Sequence, residues 1–316
     1  MSDKWVQMVD GVPLLRDFVG LIGDGPPLCI DQTTGVGYYL RPSNTPSPLQ
    51  SSVVRDADAL GADPYATYYV NAATGNDSNN GLTAGTSWKT LEYAMGYVAS
   101  LRWKMLTGYA VISLADGNYS TTSSLNGDSL PSTVGYDEIQ ITSTSGIAAN
   151  VHINVNGALV MNFGSTWLFY KVTLDNMGFT AVYNGGIMNI DGCICNVAAG
   201  ATHFARANQG GHFWLKDNIY NLPASMQYFV YAYARGWMTI RGTHTFNLNT
   251  AFSVAFLNAE NDAFYLAAGV TYNGAGVITG TRYRLLGLSR VYTNNAGASA
   301  LPGNAAGSIE SNSIYY

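Results

Sequence analysis

Gly186-Ile187-Met188-Asn189-Ile190-Asp191, Gly211-His212-Phe213-Trp214-Leu215-Lys216 and Gly236-Trp237-Met238-Thr239-Ile240-Arg241 repeat one pattern at a spacing of 25 residues, and Asn261 falls one further step along. Four places before the glycine, Val182, Ala207, Ala232 and Leu257 form an apolar column. Two places after it stand Met188, Phe213, Met238 and Ala263, and four after it Ile190, Leu215, Ile240 and Tyr265. A fixed period of this size marks a solenoid whose repeats stack on one another. Apolar and polar residues alternate within each repeat, so the repeat is built of strands. A coil of strands with one turn per 25 residues predicts an all-β fold, a right-handed single-stranded parallel β-helix. Gly186, Gly211, Gly236 and Asn261 are expected to stack at equivalent corners.

Composition narrows the class. Of 316 residues, 47% are hydrophobic, ample for a core, but only 11% are charged, against roughly 25% in an average soluble chain. The surface therefore relies on neutral polar groups. A net charge of −5 argues against nucleic acid, which selects a basic face. No stretch approaches the ~18–20 apolar residues of a membrane span. Arg16 and Asp17 interrupt the segment from Val12 to Ile22, which makes it a poor secretion signal. Cys29, Cys193 and Cys195 are odd in number and lack framework spacing, so no disulfide scaffold is expected. Cys193 and Cys195 share one side of a strand and read as apolar wall thiols rather than as a metal pair.

The pattern changes along the chain. Residues 1–50 hold the turn cluster Gly23-Asp24-Gly25-Pro26-Pro27, a short Tyr38-Tyr39-Leu40 strand and Pro42, Pro46 and Pro48, and read as a small β-rich head. Residues 51–67 form a linker, mildly helical up to Asp63-Pro64. Residues 68–290 are assigned to the β-helix, with Ser87 capping a helix in which Trp88, Leu91, Met95, Val98 and Leu101 recur at helical spacing and cover its N-terminal end. Residues 291–316, with Leu301-Pro302-Gly303-Asn304-Ala305-Ala306-Gly307, read as a tail without a core pattern.

Val70-Asn71, Gly75-Asn76-Asp77, Asn80-Gly81-Leu82, Ser87-Trp88-Lys89-Thr90-Leu91 and Ala94 together resemble the opening of right-handed parallel β-helix proteins of the pectin-lyase-like class. Ile112-x-Leu114-x-Asp116-Gly117-x-Tyr119 resembles the first coil that follows. This likeness covers roughly residues 68–145 and implies the fold, not an activity, because the class holds lyases, hydrolases, isomerases and inert adhesins. The head and the tail segment are similar to those of bacteriophage tail fibres and tailspikes. That resemblance implies a virion tail protein that docks to other tail or baseplate proteins through residues 1–50.

Register assigns faces. With Met188 and Ile190 inward, Asn189, Asp191, His212, Trp214, Lys216, Trp237, Thr239 and Arg241 point outward. On the preceding strand Tyr183, Arg206, Tyr231, Tyr233 and Phe256 are expected outward. Exposed aromatic rows want a partner. They stack on sugar rings or lie buried against a sister subunit, and Arg206 and Arg241 suit acidic sugars. Asp191, Lys216 and Arg241 form a column whose rungs lie about 4.8 Å apart, which predicts a surface ion-pair ladder.

Hydrolysis would need two carboxyls about 5–5.5 or 6.5–9.5 Å apart. Asp191, Asp217, Glu260 and Asp262 are the weak candidates. The coils lack the carboxylate cluster of a calcium site, and His152, His203, His212 and His244 show no metal spacing. The coils have neither a Walker loop nor a dinucleotide fingerprint, and no cofactor is expected. The expectation is a homotrimeric phage appendage that binds a host surface polysaccharide. The alternative is the same appendage acting as a polysaccharide depolymerase.

Overall fold

Alternation with a period of two predicts strands that turn one face inward, and stacked strands of this kind build the molecule. The structure is a computed structural model. It describes residues 6–9, 12–15, 28–30, 37–40 and 46–48, then 66–100, 110–121, 125–126, 139–161 and 166–316 apart from 268, 275, 276, 295, 298 and 311. The chain divides into two units, residues 1–63 and 64–316. In the first, Val6–Val9 pairs antiparallel with Val12–Leu15, and Leu28–Ile30, Gly37–Leu40 and Pro46–Pro48 form a three-stranded antiparallel sheet. The helical reading of residues 51–65 lies outside the described residues.

The second unit is a parallel β-solenoid. Its first face is a ten-stranded parallel sheet in chain order. The strands are Thr67–Val70, Ala110–Leu114, Ile139–Ser143, Thr166–Tyr170, Ile187–Asp191, His212–Lys216, Trp237–Arg241, Phe264–Leu266, Arg290–Tyr292 and Ile314–Tyr315. The second face runs through Gly117–Ser120, Ile194–Val197, Ile219–Asn221, Thr243–Phe246 and Thr271–Asn273. The third runs through His203–Asn208, Ser225–Tyr233, Thr250–Glu260, Tyr283–Leu285 and Ser308–Ile309. Two long strands, Val151–Met161 and Thr173–Val182, pair on both the second and the third face.

Packing follows the register. Ala110, Ile139, Trp167, Met188, Phe213, Met238, Tyr265 and Val291 occupy successive rungs of one inward column and are at most 6% exposed. Burying each large apolar side chain contributes about 1.5–3 kcal/mol. A second column, Phe204, Phe229 and Phe256, stacks with ring centroids 5.4 and 4.8 Å apart. Each offset-stacked aromatic pair adds to the area term.

The 25-residue period does not hold throughout. Ile187, His212 and Trp237 lie opposite one another at steps of 25, but Trp237 lies opposite Phe264. One extra residue enters between the first and second faces, because Tyr220 pairs with Phe246. A second enters at the register shift between Met226 and Tyr228. Asn261 is therefore not the fourth member of the glycine column. Its backbone carbonyl receives the Arg235 N–H, while Phe264 bonds to the Gly236 carbonyl, so Ala263 follows Gly236. Tyr265 accordingly sits over Met238 rather than Ile240, and Ala259 rather than Leu257 sits over Ala232.

The glycines are needed at that corner. A Cβ on Gly236 would stand 2.1 Å from the Ala207 carbonyl oxygen, and one on Gly211 would stand 2.5 Å from that of Val182. Just before them come two consecutive left-handed residues on each rung: Asn184-Gly185, Gln209-Gly210, Ala234-Arg235, Asn261-Asp262 and Gly287-Leu288.

Phe256 is a second correction. It is fully buried, stacked on Phe229 rather than facing out. The two inserted residues place it two positions from its expected column, and alternation lapses where Phe229 and Val230 are both buried.

The N-terminal end is closed as expected, but the cap differs. The helix is Leu91–Ser100, and Leu91, Ala94, Met95 and Val98 form its buried stripe. Thr90, not Ser87, caps it: its hydroxyl accepts the Tyr93 amide at 3.3 Å, and Asp77 holds Thr90 in place, Oδ1 accepting from the Lys89 and Thr90 amides and Oδ2 from the Thr90 hydroxyl. Trp88 precedes the helix, bridged to Val70 and stacked on Tyr68. Leu101 lies outside the described residues. At the other end, residues 291–316, expected as a tail segment, add strands Ser308–Ile309 and Ile314–Tyr315 to the sheets, with Leu301 buried.

Candidate functional site

Two outward walls collect the aromatic residues singled out in the sequence. On the first face, Trp214 and Trp237 flank His212, with ring centroids 4.9 and 5.3 Å from its imidazole. Phe264 continues the row 4.6 Å from Trp237, and the Arg241 guanidinium lies over Trp214 at 4.8 Å. Trp237 is 44% exposed. His212 Nε2 lies 3.0 Å from the Thr239 hydroxyl. Burial first, and the Arg241 charge second, hold His212 down to about 4.

The third face carries a more polar wall. Ala181, Arg206, Tyr231, Asn258 and Arg284 form one column on its side away from the phenylalanine stack, and Tyr183, Asn208, Tyr233 and Glu260 the next; the arginines, tyrosines and Glu260 are part-exposed, whereas Ala181, Asn208 and Asn258 are buried among them. The Arg206 guanidinium lies over the Tyr231 ring at 5.2 Å and the Tyr183 ring at 5.8 Å. Tyr228 stacks on Tyr231 at 5.2 Å, and Tyr233 lies 6.0 Å from Tyr231. Glu260 accepts from Asn258 Nδ2 at 2.7 Å and from the Tyr231 hydroxyl at 3.2 Å, and it pairs with Arg284 at 3.6 Å. Burial, then the Glu260 charge, push Tyr231 up to about 12. Tyr231 is thus a neutral donor at physiological pH.

The four candidate acids fall at separate places. Asp191 pairs with Lys216 at 2.9 Å on the first wall. Asp217 occupies a left-handed corner, where its Oδ1 accepts the Thr243 amide at 2.7 Å, and Lys216 reaches it at 3.9 Å. Glu260 belongs to the third wall. Asp262 lies in the corner pair and meets Arg235 at 3.9 Å. A shallow groove of about 470 Å³ lined by Gln209, Gly210, Ala234, Arg235 and Asn261 follows that corner. Each acid is already engaged by a cation or a backbone amide. Among the described residues no group of three His, Cys, Asp or Glu is placed to hold a metal ion. Cys193 and Cys195 are buried free thiols, and burial pushes the Cys193 thiol up to about 12.

Tyr228, Asn208, Asn258 and Arg284 escaped the sequence reading. A strict 25-residue step puts Asn258 over Tyr233, whereas it lies over Tyr231. The visible signal was Tyr228-Phe229-Val230-Tyr231-Ala232-Tyr233, three tyrosines in six residues.

Fold and walls together define a parallel β-solenoid that presents two aromatic surfaces of different polarity. Comparison with protein-family models, curated proteins and solved structures finds no match to the chain. The functional reading therefore rests on the chemistry of the walls.

Proposed function

We propose that this chain is a phage tail appendage, a tailspike or tail fibre of the virion, that binds a host cell-surface polysaccharide. In this reading it assembles as a homotrimer and docks to other tail or baseplate proteins through residues 1–50. The observation that carries the reading is the third wall: tyrosines, a guanidinium and amides held at fixed spacing on consecutive rungs. Aromatic faces stack on sugar rings, while amide, hydroxyl and guanidinium groups bond sugar hydroxyls. A stiff solenoid wall presents them without the ordering cost that a mobile loop would add. The Trp214, Trp237 and Phe264 row of the first wall is the more apolar and suits burial between subunits, where aromatic side chains are favoured.

The test is to incubate host capsule, O-antigen or exopolysaccharide with pure protein, then measure binding and product size. Binding with intact chains supports adhesion. Shortened chains move the assignment to a depolymerase, with Asp191, Asp217, Glu260 and Asp262 as the first residues to replace. No binding to any host polysaccharide refutes the reading.

A further inference from the structure

Arg206 sits on the third wall without a counter-charge. Glu260, the acid of that wall, is taken up by Arg284, Asn258 and Tyr231. Among the described residues no carboxylate pairs with Arg206. Its Nε is buried and lacks an acceptor. On the same rung, Asn208 is 6% exposed and its Oδ1 lacks a donor. A buried donor and a buried acceptor left unmatched side by side are costly unless something supplies both partners. The rung before contributes Tyr183, and the rung after contributes Tyr231 and Tyr233. The Arg206 guanidinium carbon lies 5.8 Å from the Tyr183 ring centroid and 5.2 Å from that of Tyr231, and a guanidinium can fork onto a carboxylate through its two terminal nitrogens. Its field is felt nearby: after burial, the Arg206 charge is the second cause that lowers His203 to about 4.

We propose that Arg206 and Asn208, walled by Tyr183, Tyr231 and Tyr233, form a subsite for an acidic sugar, a uronic or sialic acid unit of the host polymer. The sugar carboxylate forks onto the Arg206 guanidinium, and a ring hydroxyl donates to Asn208 Oδ1. The sugar face packs on the tyrosines. This rests on the glycan-binding reading and names its ligand class. It distinguishes Arg206 from Arg241, whose guanidinium lies over Trp214 on the other wall.

The experiment measures binding of the full chain to alginate, hyaluronan, polygalacturonate and polysialic acid, each beside its carboxyl-reduced form, with dextran as a neutral polymer. At least one acidic polymer is expected to bind about tenfold or more tighter than its reduced form, the scale of a charge-assisted bidentate contact. Arg206→Gln is expected to abolish that difference, and Arg206→Lys to restore it only in part, because an ammonium cannot fork. The reduced polymers need no substitution, so the comparison holds even if Arg206→Gln fails to fold. Equal binding of acidic and reduced forms overturns the subsite and leaves the glycan reading standing. Binding of no polymer, neutral or acidic, overturns both. Loss of oligomer in Arg206→Gln with unchanged glycan binding assigns the guanidinium to a carboxylate of a second copy and overturns the subsite.

Discussion

Replacing His244 by Phe is expected to remove a defined part of the protein's acid sensitivity. His244 is 1% exposed, and its ring stacks on Tyr220 with centroids 5.7 Å apart. Its Nε2 lies 2.9 Å from the Arg241 carbonyl oxygen, which can only accept, so Nε2 carries the proton. Nδ1 then accepts from the Tyr220 hydroxyl at 3.0 Å. The site is built for neutral imidazole. Burial lowers the pKa to about 4, against the raising effects of the Arg241 carbonyl and Asp217. Because the folded value is depressed, the unfolded chain takes up the proton first as pH falls. The stabilisation is therefore complete above the ordinary value of about 6.5 and is lost as pH descends toward 4. Linkage between those two values gives a loss of about 1 kcal/mol from pH 7 to 5.5 and about 3 kcal/mol by pH 4. At pH 7 the Phe variant loses two hydrogen bonds and is expected to be about 1–3 kcal/mol less stable. Urea unfolding of both proteins at pH 7, 5.5 and 4 tests this, since titration of the carboxylates, His203 and His212 is common to both and cancels in the difference. A stability difference between the two proteins that stays constant over this range would refute the neutral-imidazole assignment.

Gly236→Ala is expected to cost about 3 kcal/mol or more by overpacking against backbone, since its Cβ would stand 2.1 Å from a carbonyl oxygen. In Gly186→Ala the nearest atom is 3.2 Å away, so denaturant midpoints should rank Gly186→Ala well above Gly236→Ala. Lys216→Met breaks a 2.9 Å pair whose lysine is 55% exposed, and thermal melts are expected to show a loss of no more than about 0.5 kcal/mol. Light scattering at micromolar concentration is expected to report a trimer, and Trp237→Ala to weaken it. A monomeric wild-type protein would count against the subunit role of the first wall.

The parallel coil was legible because inward residues at Met188, Phe213 and Met238 repeat with the same parity and the same glycine corner. The cap was legible in kind but not in detail. Leu91, Met95 and Val98 mark a buried helical stripe, but counting Trp88 as helical set the cap at Ser87, whereas Thr90 caps the helix and Asp77, a dozen residues upstream of Lys89, holds Thr90 in place. The fourth coil was misaligned because a period is an average, and two single insertions beyond Arg241 leave no composition signal of their own. That error moved Phe256 outward and displaced Asn258 from Tyr231. The third wall was therefore only half visible. Tyr183, Arg206, Tyr231 and Tyr233 follow from alternation, whereas Asn208, Asn258 and Arg284 follow only from true register.

Two insertions of one residue have a meaning for how such a protein changes over generations. A single added residue would turn every following side chain of a rung inside out. A second one further along restores the alternation, so the core above Met238 accepts Tyr265 while Thr239 and Tyr233 come to face Leu266 and Glu260 rather than Phe264 and Asn258. Interior and exterior are thus only loosely geared. Paired length changes at corners and bulges can slide one rung's surface residues against the next without altering what the core must accommodate. A lineage could re-pair its wall by such slippage before substituting a single side chain.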